Sequence, residues 1–250
     1  MTNTVFLDRL AGTLIALLAL AAPSVAQDRV IGLLGLPEVF GRGACDRYQP
    51  EPVPLREAPG GRTTATLFVV TPWTFPASGC YGLQVGVRMR STAAVEPLPT
   101  LEFGYEAPGA IVLERRGQWF RVRLASSSAW LEASKQDEFF DLIRLYTASL
   151  TFLTDAWSGQ IAPEPGAPQR KVRFSTLGAD QPVTIHGSMH HKGELWFEVE
   201  ILSHSACTAD GEPTVADRGW VRAYGTANEP SIWRVLARSG LTSKCSRHAA

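Results

Sequence analysis

The chain has 250 residues, with 24 basic and 24 acidic side chains and a formal net charge of zero. Such a balance leaves no overall field to gather nucleic acid or an anionic membrane, so neither is expected as a partner. The length suits one large or two small domains.

Residues 1–26 read as a signal peptide. A polar stretch with Arg9 precedes an apolar run from Leu10 to Ala22, about half of what a membrane-crossing helix needs. Pro23-Ser24-Val25-Ala26 closes the run with small residues, so cleavage is expected after Ala26. The mature protein then starts near Gln27, periplasmic or secreted, with no stable membrane anchor. A lipid anchor needs a cysteine directly after the apolar run, and the first is Cys45.

Four cysteines in an exported chain favour disulfides over metal, and no C-x-x-C pair suggests zinc. Of the three possible connectivities, local pairing of Cys45 with Cys80 and Cys207 with Cys245 is the simplest. Each bridge would stabilise its unit by roughly 3 to 4 kcal/mol.

A first module spans residues 27–133, and from Leu36 to Ala133 its pattern is short apolar runs cut by Gly and Pro, the signature of β structure. Expected strands are Val53 to Arg56, Ala65 to Val70, Leu83 to Met89, Ala110 to Glu114, Trp119 to Leu124 and Ala129 to Leu131. Ala58-Pro59-Gly60-Gly61 and Ala107-Pro108-Gly109 read as turns, and Arg115 to Gln118 as a hairpin loop. Residues 134–161 form an extension. Phe139, Leu142, Ile143 and Tyr146 fall on one helical face, Ser134 is placed to cap it, and the helix should end near Ala148 as a lid on the first barrel. Leu150 to Trp157 resumes a strand-like pattern. Three prolines in residues 162–169 predict an extended, semi-rigid linker. A second module follows over 170–250, with strands at Lys171 to Ser175, Val183 to His186, Leu195 to Leu202, Gly219 to Tyr224 and Ser231 to Leu236, and an inserted loop at Ser203 to Arg218.

One pattern occurs twice. Gly117-Gln118-Trp119-Phe120-Arg121-Val122-Arg123-Leu124 leads to Ala129-Trp130-Leu131, and Gly193-Glu194-Leu195-Trp196-Phe197-Glu198-Val199-Glu200-Ile201 leads to Gly219-Trp220-Val221. Alternation along a strand sends Phe120, Val122 and Leu124, and likewise Phe197, Val199 and Ile201, into the core. Trp119, Arg121 and Arg123 then share one exposed face, and Trp196, Glu198 and Glu200 the other. Arginine beside tryptophan suits anionic or aromatic groups, while glutamate beside tryptophan suits a cationic or sugar-like partner. The two faces, opposite in sign, can equally meet each other or stay solvated.

The Gly-x-Trp-Phe-x-Val-x-Leu strand followed by Ala-Trp-Leu or Gly-Trp-Val resembles the closing half of bacterial Src-homology-3-like (SH3b) domains. Val53-Pro54-Leu55-Arg56-Glu57-Ala58-Pro59-Gly60 resembles their opening strand and first turn. The likeness covers about half of each module and is broken by two insertions, which hold Cys80 and Cys207. It implies a mainly β fold of two small SH3-like barrels with one bridging α-helix, and binding without catalysis. Members of that family attach exported proteins to peptidoglycan, its stem peptides or other envelope proteins through an aromatic-lined groove. By position Trp119 and Trp196, with Tyr105, would line the groove, whereas Trp130 and Trp220 would pack at the barrel edge.

Signs of an enzyme are few. The chain has no G-x-S-x-G elbow and no H-E-x-x-H helix, and its cysteines are evenly paired off. His186, His190, His191 and His204 cluster in the second module, but His190 and His191 precede Lys192-Gly193 and read as a solvent-exposed turn, so no metal or cofactor is assigned. The rivals to a binding protein are a cell-wall hydrolase with a carboxylate site and a purely structural scaffold.

Overall fold

The computed structural model describes residues 28–40, 51–70, 84–92, 94–104, 107–133, 139–147, 151–172, 181–204 and 212–234. All four cysteines, Tyr105 and the leader lie outside them. The described chain is mainly β, as the Gly- and Pro-punctuated runs predict.

The first sheet runs in the order β10 (Phe139–Asp141), β1 (Gly32–Gly35), β7 (Ala107–Arg116), β8 (Trp119–Arg123), β9 (Ser128–Glu132), β2 (Val53–Arg56), β3 (Thr63–Val69), β4 (Val85–Met89), β5 (Val95–Pro97), with β6 (Thr100–Gly104) also on β7. A single turn of helix, α1 (Leu36–Val39), follows β1. The second sheet orders β16 (Val215–Arg222), β15 (Glu194–Leu202), β14 (Pro182–His191), β11 (Thr151–Leu153), β17 (Ile232–Arg234). A short ribbon pairs β12 (Gln160–Ile161) with β13 (Arg170–Lys171). Every pairing among the described strands is antiparallel.

The written repeat is a structural one. Strands β10-β1-β7-β8-β9 and β17-β11-β14-β15-β16 have the same order. Trp119, Phe120 and Arg121 face Glu132, Leu131 and Trp130, and Trp196, Phe197 and Glu198 face Arg222, Val221 and Trp220 in the same register. Both central hairpins carry an irregularity at the same step, after Val112 opposite Val122 and after Ile185 opposite Val199. A bulge there sharpens the local twist and curls each sheet. The hairpin turns use Gly117 at φ 61° and the pair Lys192 and Gly193 at φ 49° and 80°.

The proline-rich residues 162–169, expected to link the modules, instead close the β12–β13 hairpin. Ala162 exchanges backbone bonds with Trp220 at 2.9 and 2.7 Å, as Arg56 of β2 pairs with Trp130. Four residues on from these, Gly60 (φ 69°) and Gly166 (φ 84°) take the same left-handed turn, closed by Gly61 N–H to Ala58 O at 2.9 Å and Ala167 N–H to Glu164 O at 3.1 Å. Proline presets the turn that glycine completes, so a composition resembling a spacer serves as the opening hairpin of the second copy.

The long helix is also shorter than its periodicity predicts. Phe139 and Phe140 lie on β10, where they face opposite sides: Phe139 packs with Phe120 at 5.4 Å and Phe140 stacks on Phe103 at 4.6 Å. Of the described residues in this stretch only α2 (Leu142–Thr147) is helical, capped by the Asp141 carboxylate accepting from Arg144 N–H at 2.8 Å; Ser134 lies outside the described residues. Leu142, Leu145 and Tyr146 are buried while Ile143 stays exposed. Three further expectations shift. Ala107-Pro108-Gly109 is strand, because Gly109 lets β7 run close under Leu33, whose Cβ would lie 2.9 Å from an added Cβ. The strand after Leu150 is only Thr151–Leu153, and Thr154 to Trp157 turns on a 3.0 Å bond. Residues 215–218, expected in a loop, begin β16, where Asp217 is anchored by Arg170.

Two apolar clusters hold the fold. Leu34, Ala110, Val112, Phe120, Val122 and Leu131 fill the interior of the first module. Leu33, Ile111 and Leu113, on the opposite face of β1 and β7, pack with α2 and with Phe197, Val199, Ile201 and Val221 of the second. The β1–β7 ribbon is therefore a wall buried on both sides, and α2 sits where the modules meet.

Candidate functional site

Strand alternation delivers the predicted core triplets, with Phe120 and Val122 at 1% exposure and Phe197 and Ile201 at 0%. The exposed faces fare differently. Trp119 is half-buried with the Arg56 guanidinium 5.8 Å from its ring centre. Arg121 is bonded to Asp28 at 2.7 Å and Glu114 at 3.1 Å, and Arg123 to Glu229 at 2.9 Å. Trp196 is 1% exposed, so it is no groove residue; Arg222 lies over its ring at 5.3 Å. The Pro-rich loop is bridged to β16 through Ala162 and Trp220 and brings Gly166 close against the His191 ring of β14. Glu200 joins His186 at 3.2 Å and Arg218 at 2.8 Å, while Glu198 is exposed. The predicted residues that are described thus do not converge on one site. Of the edge tryptophans, Trp130 is buried and Trp220 half-buried.

What does converge is a cleft between the modules, about 430 Å³ in volume. Val30 and Leu101 of the first module and Ala156, Pro230 and Trp233 of the second form apolar walls. Arg123, Asp155 and Glu229 stand among them, with the Arg123–Glu229 pair spanning the two modules. On one side the chain turns through Ala227 and Asn228, both left-handed at φ 54° and 58°. An alanine held there stores about 1 kcal/mol or more of strain, which the surrounding contacts must offset.

The segment leading into β1 supplies one such contact, from Arg29 to Asn228, and further ties to its surroundings. Asp28 pairs with Arg121; Arg29 donates to Asn228 Oδ1 at 3.2 Å and lies 5.2 Å over the Tyr224 ring; the Val30 carbonyl accepts from Tyr224 Oη at 2.9 Å. Burial raises the Tyr224 pKa, with Arg29 pulling the other way, so the phenol stays a donor. Burial likewise pushes Tyr146 well above the ordinary phenol, reinforced by Tyr224, and its hydroxyl donates to Ile232 O at 2.6 Å. Trp233 packs edge-on to Tyr146 at 5.9 Å, which fixes the back of the cleft.

Reactive groupings elsewhere are modest. Ser203 Oγ lies 2.9 Å from His204 Nδ1, but it also receives Thr214 N–H at 3.1 Å and so pins the start of β16. Arg170 grips the Asp217 carboxylate with two bonds, 2.8 and 2.6 Å, which raise the guanidinium pKa against a small burial penalty. His190 is exposed at the end of β14 and His191 half-buried beside it. Among the described residues no group of three His, Cys, Asp or Glu side chains is placed to hold a metal. No described helix is long and apolar enough to cross a membrane.

Sequence reasoning missed Trp233 and the cleft. Arg123 and Glu229 are 106 residues apart, and no local spacing announces a site formed by two modules. Comparison of the chain with family models, with curated proteins and with solved structures finds no match.

Proposed function

We propose that this chain is an exported, non-catalytic binding protein that recognises a cell-envelope peptide, a peptidoglycan stem or a protein partner in the cleft between its two β modules. The observation that carries this reading is the cleft itself: apolar walls with one indole, and a few charged groups at Arg123, Asp155 and Glu229. Concave sites of this size and composition suit a few side chains of an extended ligand. The resemblance of both Trp-Phe strands and of Val53 to Gly60 to SH3b domains supports it, with the aromatic anchor moved from Trp119 and Trp196 to Trp233. A scaffold role is favoured by a different observation, the bonds from Arg29, Val30 and Arg123 that tie the modules together.

Sedimentation of purified mature protein with peptidoglycan separates these readings. Binding without release of soluble fragments, lost in Trp233→Ala and kept in Trp119→Ala, is the expected result. Fragment release abolished by a single carboxylate change points to a hydrolase, and no sedimentation together with one stoichiometric envelope protein that Trp233→Ala still captures points to the scaffold.

A further inference from the structure

The two modules, related residue by residue, serve as controls for each other. On the outer face of the first, Arg121 stands between Glu114 of β7 and Trp130 of β9. On the second, Glu198 stands between Gly187 of β14 and Trp220 of β16. The first position is internally complete. Arg121 bonds Glu114 at 3.1 Å and Asp28 at 2.7 Å, Arg116 lies 4.9 Å over the Trp130 ring, and Trp130 is only 6% exposed.

The second copy keeps the tryptophan and changes its neighbours. Glycine stands at the place of Glu114, and Met189 at the place of Arg116. Among the described residues the exposed Glu198 has no cationic partner, and the half-buried Trp220 has no guanidinium over it. The nearby basic side chains are engaged elsewhere: Arg218 and His186 with Glu200, and Arg222 with Glu194 at 3.4 Å. A Cβ added at Gly187 would meet only Glu198, its Oε2 at 3.4 Å and its Cβ at 3.9 Å, so the space over the glycine borders directly on the carboxylate.

We propose that Glu198 and Trp220 form a receptor position for an arginine side chain of a partner polypeptide, the guanidinium paired with the Glu198 carboxylate and flat against the Trp220 indole. The first module shows this chemistry satisfied from within, a guanidinium bonded to a carboxylate and another stacked on the tryptophan. In the second the indole is kept, a carboxylate stands at the place of Arg121, and both cations are gone. Arginine fits better than lysine because its planar fork bonds a carboxylate with two parallel donors while its face stacks on an aromatic ring. The site lies on the outer face of β14, β15 and β16 and does not depend on the cleft.

The probe is the tripeptide acetyl-Gly-Arg-Gly-amide, with its citrulline counterpart as the neutral control. In nuclear magnetic resonance of the mature chain, the Trp220 indole N–H, assigned by its loss in Trp220→Phe, shifts saturably with the arginine peptide. Citrulline, or Glu198→Gln, weakens that response at least tenfold. Gly187→Arg places a guanidinium opposite Glu198 from within, so it abolishes the shift and raises Tm by up to about 4 °C. Equal response to both peptides, an unchanged response in Glu198→Gln, or binding that persists in Gly187→Arg overturns the proposal. Trp233→Ala leaves the shift intact; its loss there would assign the arginine to the cleft and overturn the proposal equally.

Discussion

Leu33 and Leu34 are consecutive, both at 0% exposure, and point to opposite sides of β1. Leu34 belongs to the interior of the first module, and Leu33 to the cluster that includes Phe197, Val199 and Ile201 of the second. Trimming a fully buried leucine to alanine costs about 2–5 kcal/mol, the lost transfer energy plus the cavity. A value near 3 kcal/mol lowers the folded-to-unfolded ratio about a hundredfold and Tm by about 6–12 °C. The two variants should lose comparable stability yet loosen different parts. Hydrogen exchange read by mass spectrometry should quicken across β14 to β16 in Leu33→Ala and across β8 and β9 in Leu34→Ala. If Leu33→Ala costs under about 1 kcal/mol, or leaves exchange in β15 untouched, the doubly buried wall is not what joins the modules.

Gly60→Ala should cost about 1–2 kcal/mol in chemical denaturation, because its left-handed turn is open to solvent and only the backbone objects. Gly166→Ala should cost more, since its methyl meets the His191 ring, and His191→Ala should recover the excess. Tyr146 and Tyr224 keep their protons beyond the ordinary tyrosine range, so below about pH 10 they add no pH dependence. Above it the unfolded chain releases protons that the folded chain retains, and stability falls. Tyr224→Phe should flatten that decline in alkaline melts. A double-mutant cycle on Arg123 and Glu229, both partly exposed, should give a coupling of about 0.2–1 kcal/mol that fades in molar salt.

The duplicated Trp-Phe strand and its register were legible because strand alternation is a local rule and the apolar triplets obey it without exception. Phe139 was not: its spacing to Leu142 and Tyr146 fits a helix, and only the pairing with Leu34 makes it a strand. The Pro-rich stretch misled for a related reason. Nothing local distinguishes a spacer from a hairpin loop whose strands are two residues each, and the partner that decides, Trp220, lies 58 residues beyond Ala162. The fate of Trp196 likewise could not be read from alternation. That rule places it off the core face, while its burial comes from what lies over the sheet.

A strand greasy on both sides carries a practical cost. Cut the gene between the two copies and the first half would display Leu33, Ile111 and Leu113 to water, a sticky strip without its cover. The duplication has thereby given up the independence that tandem repeats usually keep, and the halves should be soluble only when made together.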